Sequence, residues 1–390
     1  MSGQITAERH SLGCNTSVLL DVVRFFAAAI VATTHLSIFV RSKPLLPGAS
    51  ANAAVCIFFV LSGFVIRFVT VTRETDAAEY WIDRASRIYS VVAPTLALTV
   101  LFEGAAFLCN PAIYHGFAQP YVWTQVPGQL FTNMTFTSGY WGYGSAPLSN
   151  LPFWSLTYEC VYYVLYGLMH YTRKLRWFMV PLILLIVGPS IGLLFIVWWM
   201  GVLLFEAYSR LSRSRKGPMV AAVIAFSGVS LFFLFSRQII GFLHRTDVDW
   251  RRAQATRLAA STSIGHRLFH GAPVPWIDRL SISFFFTGIL FCLVVLALTL
   301  ALDSFFPVIP RSAARAVRTV ADSTFTLYLL HVPFFILAFT IAGGPSRTWL
   351  GGTIAFVAAV LLSIAFAIQF DRLKLWMRNR LHQFFVPSVN

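Results

Sequence analysis

Charged residues are scarce in this chain. Only 12% of its 390 residues are Asp, Glu, Lys or Arg, whereas 57% are hydrophobic. A soluble domain of this length carries about twice that charged fraction, because charges cover its water-facing surface. The shortage excludes an ordinary soluble protein and predicts a polytopic membrane protein.

Several other signals are also missing. The five cysteines form no CxxC pair, so neither a disulfide framework nor a metal site is indicated. No short apolar core with a small-residue cleavage site precedes the first long apolar run, which is therefore predicted to be retained as a helix. The chain has no internal repeat, which weakens a transporter interpretation built on inverted repeats.

Long apolar windows are abundant instead. They cover residues 18–40, 51–71, 88–108, 152–171, 177–189, 190–208, 218–240, 281–301, 319–341 and 350–370. We therefore predict an all-α bundle of about ten transmembrane helices. The window 177–189 is short and ends at Gly188 and Pro189, so it and the next window form either a tight hairpin or one kinked element.

The distribution of basic residues predicts the orientation of the chain. With the N-terminus inside, the inner segments hold 18 of the 30 Lys and Arg residues, and the outer segments hold 9. Because cytoplasmic loops retain basic residues, both termini are predicted to be cytoplasmic. Most of the net charge of +15 then faces the headgroups of membrane lipids, and no nucleic acid partner is needed to explain it.

Two extramembrane segments are long. Segment 109–151, the outer cap, has no Lys or Arg and is rich in aromatic residues, Gly and Pro. Segment 241–280, the basic loop, carries Arg251 and Arg252 within a basic stretch at 249–257. This stretch fits a surface helix against lipid headgroups, and the alternative is a docking surface for an anionic acceptor.

Ionisable residues inside the apolar windows are the strongest functional signal. Arg24, His35, Glu159 and His331 lie there, although a charge in hydrocarbon costs several kcal/mol and normally faces a protein interior or a water-filled cavity. Arg24 and His35 share one stripe of the first helix, roughly 16 Å apart along its axis. The structural alternatives are an ion pair of Arg24 with Asp21 and a hydrogen bond of His35 to a neighbouring helix.

Two partnerships are expected among these residues. Glu159 lies roughly 10 Å below the outer surface, and His35, at a similar depth, is its obvious partner. Arg84 and Arg87 share a face at the start of the third helix, where their guanidinium groups suit a phosphate-rich ligand. Simple anchoring at the cytoplasmic surface is the alternative for both arginines. His331 is placed near the midplane.

Five short motifs follow one another in a recognisable order. They are Leu-Asp-Val-Val-Arg-Phe with its histidine at 20–35, Phe-Phe-Val-Leu-Ser-Gly-Phe at 58–64, Arg-Ala-Ser-Arg at 84–87, Trp-Ser-Leu-Thr-Tyr-Glu at 154–159 and the Leu-Tyr-Leu-Leu-His stretch within 323–333. On these residues the chain resembles the acyltransferase family 3 membrane proteins, which O-acylate extracytoplasmic glycans. It departs from the family pattern at Val22, at Cys160, where a second acid is usual, and at 371–373, where Asp-Arg-Leu replaces Glu-Arg-Pro.

The resemblance implies a transmembrane acyltransferase domain over 1–375, followed by a cytoplasmic tail at 376–390, in the bacterial inner membrane. It implies transfer of an acyl group, usually acetyl, from acetyl-CoA or another acyl-CoA to a sugar hydroxyl, without a metal. Arg24, Arg84 and Arg87 are the expected donor-binding residues. The expected acceptor is a surface or exopolysaccharide, or its lipid-linked precursor.

The resemblance also assigns catalytic roles. His35 is the expected general base, with Glu159 orienting it or balancing its charge. His331 is either a second catalytic group or a structural hydrogen-bonding residue. Direct transfer, an acyl-histidine relay and a thiol relay through Cys160 are all compatible with the sequence.

Two other functions use the same residues. A polysaccharide or lipid-linked sugar transporter would employ the intramembrane charges as substrate contacts or proton couplers. A degenerate homologue would keep only a scaffold role. Binding of coenzyme A distinguishes these functions from acyl transfer, because neither of them needs it.

Overall fold

The computed structural model describes residues 12–40, 45–46, 49–74, 76–111, 123–142, 146–214, part of 216–230, 282–346 and 348–385. Eleven α-helices within these ranges have defined bounds, and the described residues from 219 to 230 are helical as well. The eleven are α1 (Cys14–Leu36), α2 (Ala49–Thr72), α3 (Ala77–Cys109), α4 (Val126–Met134), α5 (Trp154–Tyr171), α6 (Arg176–Val187), α7 (Pro189–Leu211), α8 (Ile282–Phe305), α9 (Arg311–Asp322), α10 (Thr324–Ile341) and α11 (Trp349–Phe385). The predicted all-α class is confirmed.

Seven of these helices are long and apolar enough to cross a membrane, namely α1, α2, α3, α7, α8, α10 and α11. Helices α5 and α6 occupy the windows 152–171 and 177–189, but α6 has only 12 residues. Most of the window 218–240 and all of the basic loop 241–280 lie outside the described residues. The polytopic membrane architecture is thus confirmed, and the count of ten spans stays a prediction.

The window 319–341 divides into two helices of opposite character. Helix α9 presents Arg311, Arg315 and Arg318 to the surface, so it is an amphipathic helix and not the start of a span. The apolar helix α10 begins at Thr324, directly after Ser323. Residues 319–322 belong to α9, so the apolar span begins later than the window predicted, at Thr324.

Helices α6 and α7 form the hairpin that was one of two expectations for this segment. Gly188 joins them with φ of 87°, a conformation that favours glycine, and Pro189 takes the first position of α7. Arg176 at the start of α6 and Glu206 near the end of α7 line the same cavity, so the two helices run antiparallel.

The closest helix contact joins α2 to α7. A Cβ atom placed on Gly63 would lie 2.1 Å from the carbonyl oxygen of Trp198. A Cβ atom placed on Gly201 would lie 1.9 Å from the carbonyl oxygen of Val60. Only glycine permits this approach, in keeping with the small residues found where membrane helices pack by van der Waals contact. The crossing fixes the orientation of α2, including Ser62 beside Gly63.

The outer cap is tied to the bundle by buried polar groups. The carboxylate of Glu103 accepts a hydrogen bond from the backbone N–H of Ser149 at 3.0 Å. The side-chain amide of Asn150 donates to the carbonyl oxygen of Leu329 in α10 at 2.8 Å. These bonds hold the chain directly before the 3₁₀ turn Leu151–Phe153, and so they set where α5 enters the bundle.

Candidate active site

Two histidines from distant parts of the chain meet inside the bundle. Nδ1 of His35 in α1 lies 2.8 Å from Nε2 of His331 in α10. The planes of the two rings are only 9° apart, with 5.1 Å between their centroids, so the rings meet edge to edge. His331 is fully buried, whereas His35 is partly exposed. The sequence singled out both residues but did not pair them.

The hydrogen bonds fix the tautomers of a neutral pair. Nδ1 of His331 lies 3.0 Å from the carbonyl oxygen of Leu327, which can only accept, so this nitrogen carries the proton. Nε2 of neutral His331 is then an acceptor, and Nδ1 of His35 must donate to it. The lone pair of His35 is therefore on Nε2. An imidazole held in this way is equipped to take a proton from a hydroxyl group.

Glu159 has other partners than the one expected from the sequence. Its carboxylate accepts a hydrogen bond from the hydroxyl of Ser62 in α2 at 3.0 Å. It also accepts one from Tyr163, one turn further along α5. In the structure His35 therefore pairs with His331 and not with Glu159 as expected. The carboxylate of Glu159 faces α2 and its own helix instead.

Glu159 lines a narrow cavity together with two arginines. The volume of this inner cavity is about 70 Å³, and its polar lining includes Arg24, Arg87, Glu159, Ser62, Tyr163 and Tyr328. A second cavity of about 210 Å³, the vestibule, lies towards the start of α10 and is lined by Asp322, Asp371 and Lys374 as well as by Arg24 and Arg87. The two arginines therefore stand at the junction of both cavities.

Arg24 satisfies both expectations raised for it. Its Nη1 lies 3.6 Å from Oδ1 of Asp21, which confirms the ion pair, and it also lines the inner cavity. The ion pair is long and leaves donors of the guanidinium group for a ligand. Arg24 thus joins Arg87 as a candidate for phosphate binding.

Arg84 has a separate role. It forms a buried ion pair with Glu74, and both side chains are almost inaccessible to solvent. Burial raises the pKa of the Glu74 carboxyl, and the Arg84 guanidinium acts in the opposite direction. Arg84 is thus occupied by a carboxylate, and the cavity lining brings Arg87 together with Arg24 instead. The donor-binding role expected for Arg84 and Arg87 stays a prediction.

Tyr328 stands between the inner cavity and the histidine pair. Its hydroxyl lies 2.7 Å from Oγ of Ser155, and both side chains line the cavity. Its ring centroid is 6.4 Å from that of His331, one turn further along α10. The described residues that line the cavity include neither His35 nor His331. The ring of Tyr328 therefore separates the two polar regions.

Some of these residues were missed at the level of sequence. Tyr163 is four residues after Glu159, so it lies on the same helix face, and this spacing was an available signal. Ser62 lies within a quoted motif, but only the contact of Gly63 with α7 explains why it points inward. Nothing near Glu74 in the sequence identifies it as the partner of Arg84.

Two further groups concern the chemistry of the site. Cys160 is buried, and it is not among the described residues that line the inner cavity. Within the described ranges, no group of three or more His, Cys, Asp or Glu side chains is placed to hold a metal ion. The groups that the site offers for chemistry are thus imidazoles, guanidinium groups, hydroxyls and one carboxylate.

Comparison with known proteins gives one result. The family model of acyltransferase family 3, which describes an acyltransferase domain, matches residues 18–368. None of the curated proteins matches the chain, and none of the solved structures does. The family match covers most of the 390 residues and includes Arg24, His35, Arg87, Glu159 and His331, whereas Asp371 and Lys374 of the vestibule lie beyond its end. The protein therefore belongs to acyltransferase family 3 and is a multi-pass membrane acyltransferase.

Proposed function

We propose that the protein transfers an acetyl or other short acyl group from cytoplasmic acyl-CoA to a hydroxyl group of an extracytoplasmic or lipid-linked glycan. One observation carries the proposal. Arg24 and Arg87 join the vestibule to a narrow inner cavity, and beyond that cavity lies an imidazole pair with a free nitrogen lone pair. The sequence of vestibule, inner cavity and histidine pair suits a donor whose phosphates bind to the arginines and whose thioester extends towards a base.

The vestibule suits the phosphate groups of coenzyme A. Arg24, Arg87 and Lys374 supply positive charge there, and guanidinium groups match phosphate oxygens in pairs. Burial raises the pKa of the nearby Asp322 and the Asp371 carboxylate raises it further, while Arg24, Lys374 and Arg318 act in the opposite direction. The inner cavity, at about 70 Å³, excludes a nucleotide and suits only the thin pantetheine arm.

The proposed chemistry takes place at Nε2 of His35. This nitrogen accepts the proton of the acceptor hydroxyl while the hydroxyl oxygen forms a bond to the thioester carbonyl carbon. The carbon–sulfur bond then breaks, and coenzyme A leaves with the proton as the free thiol. His331 holds the ring of His35 in the required tautomer. An acyl-histidine relay would use the same nitrogen as its nucleophile.

Glu159 serves as a positioning residue in this proposal. Through Ser62 and Tyr163 it fixes the wall of the inner cavity and balances the charge of the two arginines. The thioester has to pass Tyr328 to reach His35, because that ring separates the cavity from the histidine pair. The hydroxyl groups of Tyr328 and Ser155, which both line the inner cavity, are the proposed donors to the developing oxyanion.

The proposed acceptor is a surface polysaccharide or its lipid-linked repeat unit, in the bacterial inner membrane. Support comes from the family, whose members modify extracytoplasmic glycans, and from the partly exposed His35 in the half of α1 remote from the vestibule. The excess of basic residues in the inner segments supports cytoplasmic termini and hence a cytoplasmic vestibule.

Binding of acetyl-CoA to the purified protein tests the proposal. Isothermal titration should give saturable binding to the wild type, weaker binding to the double variant Arg24→Gln/Arg87→Gln, and unchanged binding to Arg380→Gln, an exposed arginine on α11. A folded wild-type protein that binds no acyl-CoA would contradict the proposal and favour the transporter alternative.

A further inference from the structure

A separate cavity lies on the other side of α2, away from the candidate active site. Its volume is about 630 Å³, and it is enclosed by α2, α5, α6 and α7. Its polar and aromatic lining includes Arg67, His170, Arg176, Trp177, Trp199 and Glu206. None of these residues takes part in the proposed acyl transfer, so this lateral cavity needs its own explanation.

One of the two arginines in the lateral cavity has no carboxylate partner among the described residues. Arg67 is paired with Glu206, at 2.6 Å between Nε and Oε1. Arg176 has no carboxylate partner among the described residues; its Nη1 donates to the carbonyl oxygen of Met169 at 3.1 Å. Its Nε is buried and lacks a hydrogen-bond partner in the described part of the chain. Arg176 thus offers a positive charge and an unused donor.

The guanidinium group of Arg176 is held in place by an aromatic ring. Its Cζ lies 5.3 Å from the ring centroid of Trp177. The ring of Trp177 is itself 75% exposed, at the level where α6 begins. Trp and Arg at such a position are typical of the membrane interface, where an amphipathic ring lies among lipid headgroups.

The walls of the lateral cavity become apolar with depth. Pro181 lies roughly 7 Å from Arg176 along α6, and Trp199 lies roughly 10 Å from Glu206 along α7, at 1.5 Å per residue. Val180, Val202 and Leu203 complete this apolar part. Leu203 is 57% exposed, so the cavity is open towards the lipid between the two helices. A soluble anion would leave this apolar part unfilled.

We propose that the lateral cavity binds one anionic phospholipid. Its phosphate lies against the guanidinium group of Arg176, which has no carboxylate partner in the described part of the chain, and its acyl chain follows the apolar groove between α6 and α7. The site binds a lipid of the inner leaflet and is distinct from the acyl donor site.

Quenching by brominated lipids tests the proposal, because Trp177 and Trp199 line the cavity. Delipidated protein in detergent is titrated with phosphatidylglycerol that carries brominated chains, and tryptophan fluorescence is recorded. We expect a saturable phase for the wild type at about one lipid per protein, and a loss of affinity of roughly ten-fold in Arg176→Gln. Arg173→Gln is the matched control, an exposed arginine of the adjoining loop, and should bind as the wild type does.

Two further arms distinguish lipid from free phosphate. The variant Leu203→Phe keeps every charge and adds no tryptophan but narrows the groove, and it should weaken the saturable phase. Inorganic phosphate should displace the lipid only weakly. The proposal is overturned if brominated phosphatidylcholine binds equally well, if phosphate displaces the lipid at comparable concentration, or if Arg176→Gln and Leu203→Phe both bind as the wild type does.

Discussion

The two polar regions inside this bundle differ in almost every physical respect. The inner cavity holds two arginines and one carboxylate, and the vestibule links it to the charged ends of the helices. The histidine pair is neutral in the tautomers derived above, and directional hydrogen bonds hold it without a charged partner. The first arrangement suits the binding of an anion, and the second suits the transfer of a proton.

In the proposed mechanism the two regions divide recognition from chemistry. The arginines bind the anionic donor, and an imidazole without a charged partner accepts the proton. Because a neutral group costs less inside a membrane than a charged one, a base that is neutral when unprotonated suits the second role. Substitutions that affect one region but not the other test this division.

The largest effect is expected for His35→Ala. Removal of the general base should lower the rate of acyl transfer by roughly 10²–10⁴-fold. Binding of acetyl-CoA should be unchanged, because His35 is not among the described residues that line the inner cavity. Transfer of radiolabelled acetyl from acetyl-CoA to glycan in isolated membranes measures the rate. Near-normal transfer at normal expression would remove His35 from the mechanism.

A large effect on stability is expected for Arg84→Gln. This variant leaves the Glu74 carboxylate buried without its partner, which costs about 3–5 kcal/mol of folding free energy. Loss of Arg84 removes the group that lowers the pKa of Glu74 and leaves burial and the carboxylates of Asp83 and Glu79, which all raise it, so this pKa should rise further. The carboxylate is then neutralised more easily, so the variant should lose less stability at mildly acidic pH than at alkaline pH. Thermal unfolding in detergent at both pH values measures this.

The same variant separates stability from binding. In those molecules that remain folded, the affinity for acetyl-CoA should be close to that of the wild type, because Arg84 is committed to Glu74. A loss of affinity as large as that of Arg87→Gln would mean that Arg84 binds the donor after all.

An intermediate effect is expected for Arg87→Gln. A charge-assisted hydrogen bond to phosphate contributes about 1.5–3 kcal/mol, so its loss should weaken acetyl-CoA binding by roughly ten-fold or more. Arg87→Lys keeps the charge but loses the planar guanidinium group, so its affinity for acetyl-CoA should lie between those of the wild type and Arg87→Gln. Titration calorimetry measures both variants. Equal affinities for the wild type and Arg87→Gln would exclude the arginine junction as the phosphate site.

The smallest effect is expected for His331→Asn. This change removes the ring that receives the hydrogen bond from His35, and the cost of one such bond is about 1 kcal/mol, or roughly five-fold in rate. The value of kcat should fall while KM for acetyl-CoA stays constant, since His331 positions the base and does not touch the donor. A raised KM with unchanged kcat would assign His331 to binding.

Much of the fold follows from hydrophobicity alone. Windows such as 51–71 and 190–208 reappear within α2 and α7 to within a few residues, because the thickness of the bilayer sets their length. The exception at Ser323 is instructive. The window extended over residues 319–322, but these residues belong to α9, of which only Ala314 and Ala321 are buried. A window average does not distinguish an amphipathic helix end from the start of a span.

The site was predictable as a set of residues but not as a set of contacts. Arg24, His35, Glu159 and His331 are conspicuous because each is ionisable within an apolar segment. Their pairing depends on how helices distant in sequence are rotated about their axes, and no local pattern specifies that rotation. Depth alone suggested Glu159 as the partner of His35. The rotation of α10 brings His331 there instead.

The contact between Gly63 and Gly201 has a consequence for biosynthesis. The two glycines are far apart in sequence, so α2 has no partner for its closest contact until α7 has been synthesised and has left the insertion machinery. Until then Ser62, beside Gly63, is not held towards Glu159, and the inner cavity is unfinished. A nascent chain is therefore expected to acquire its donor site late, in one step of lateral helix association.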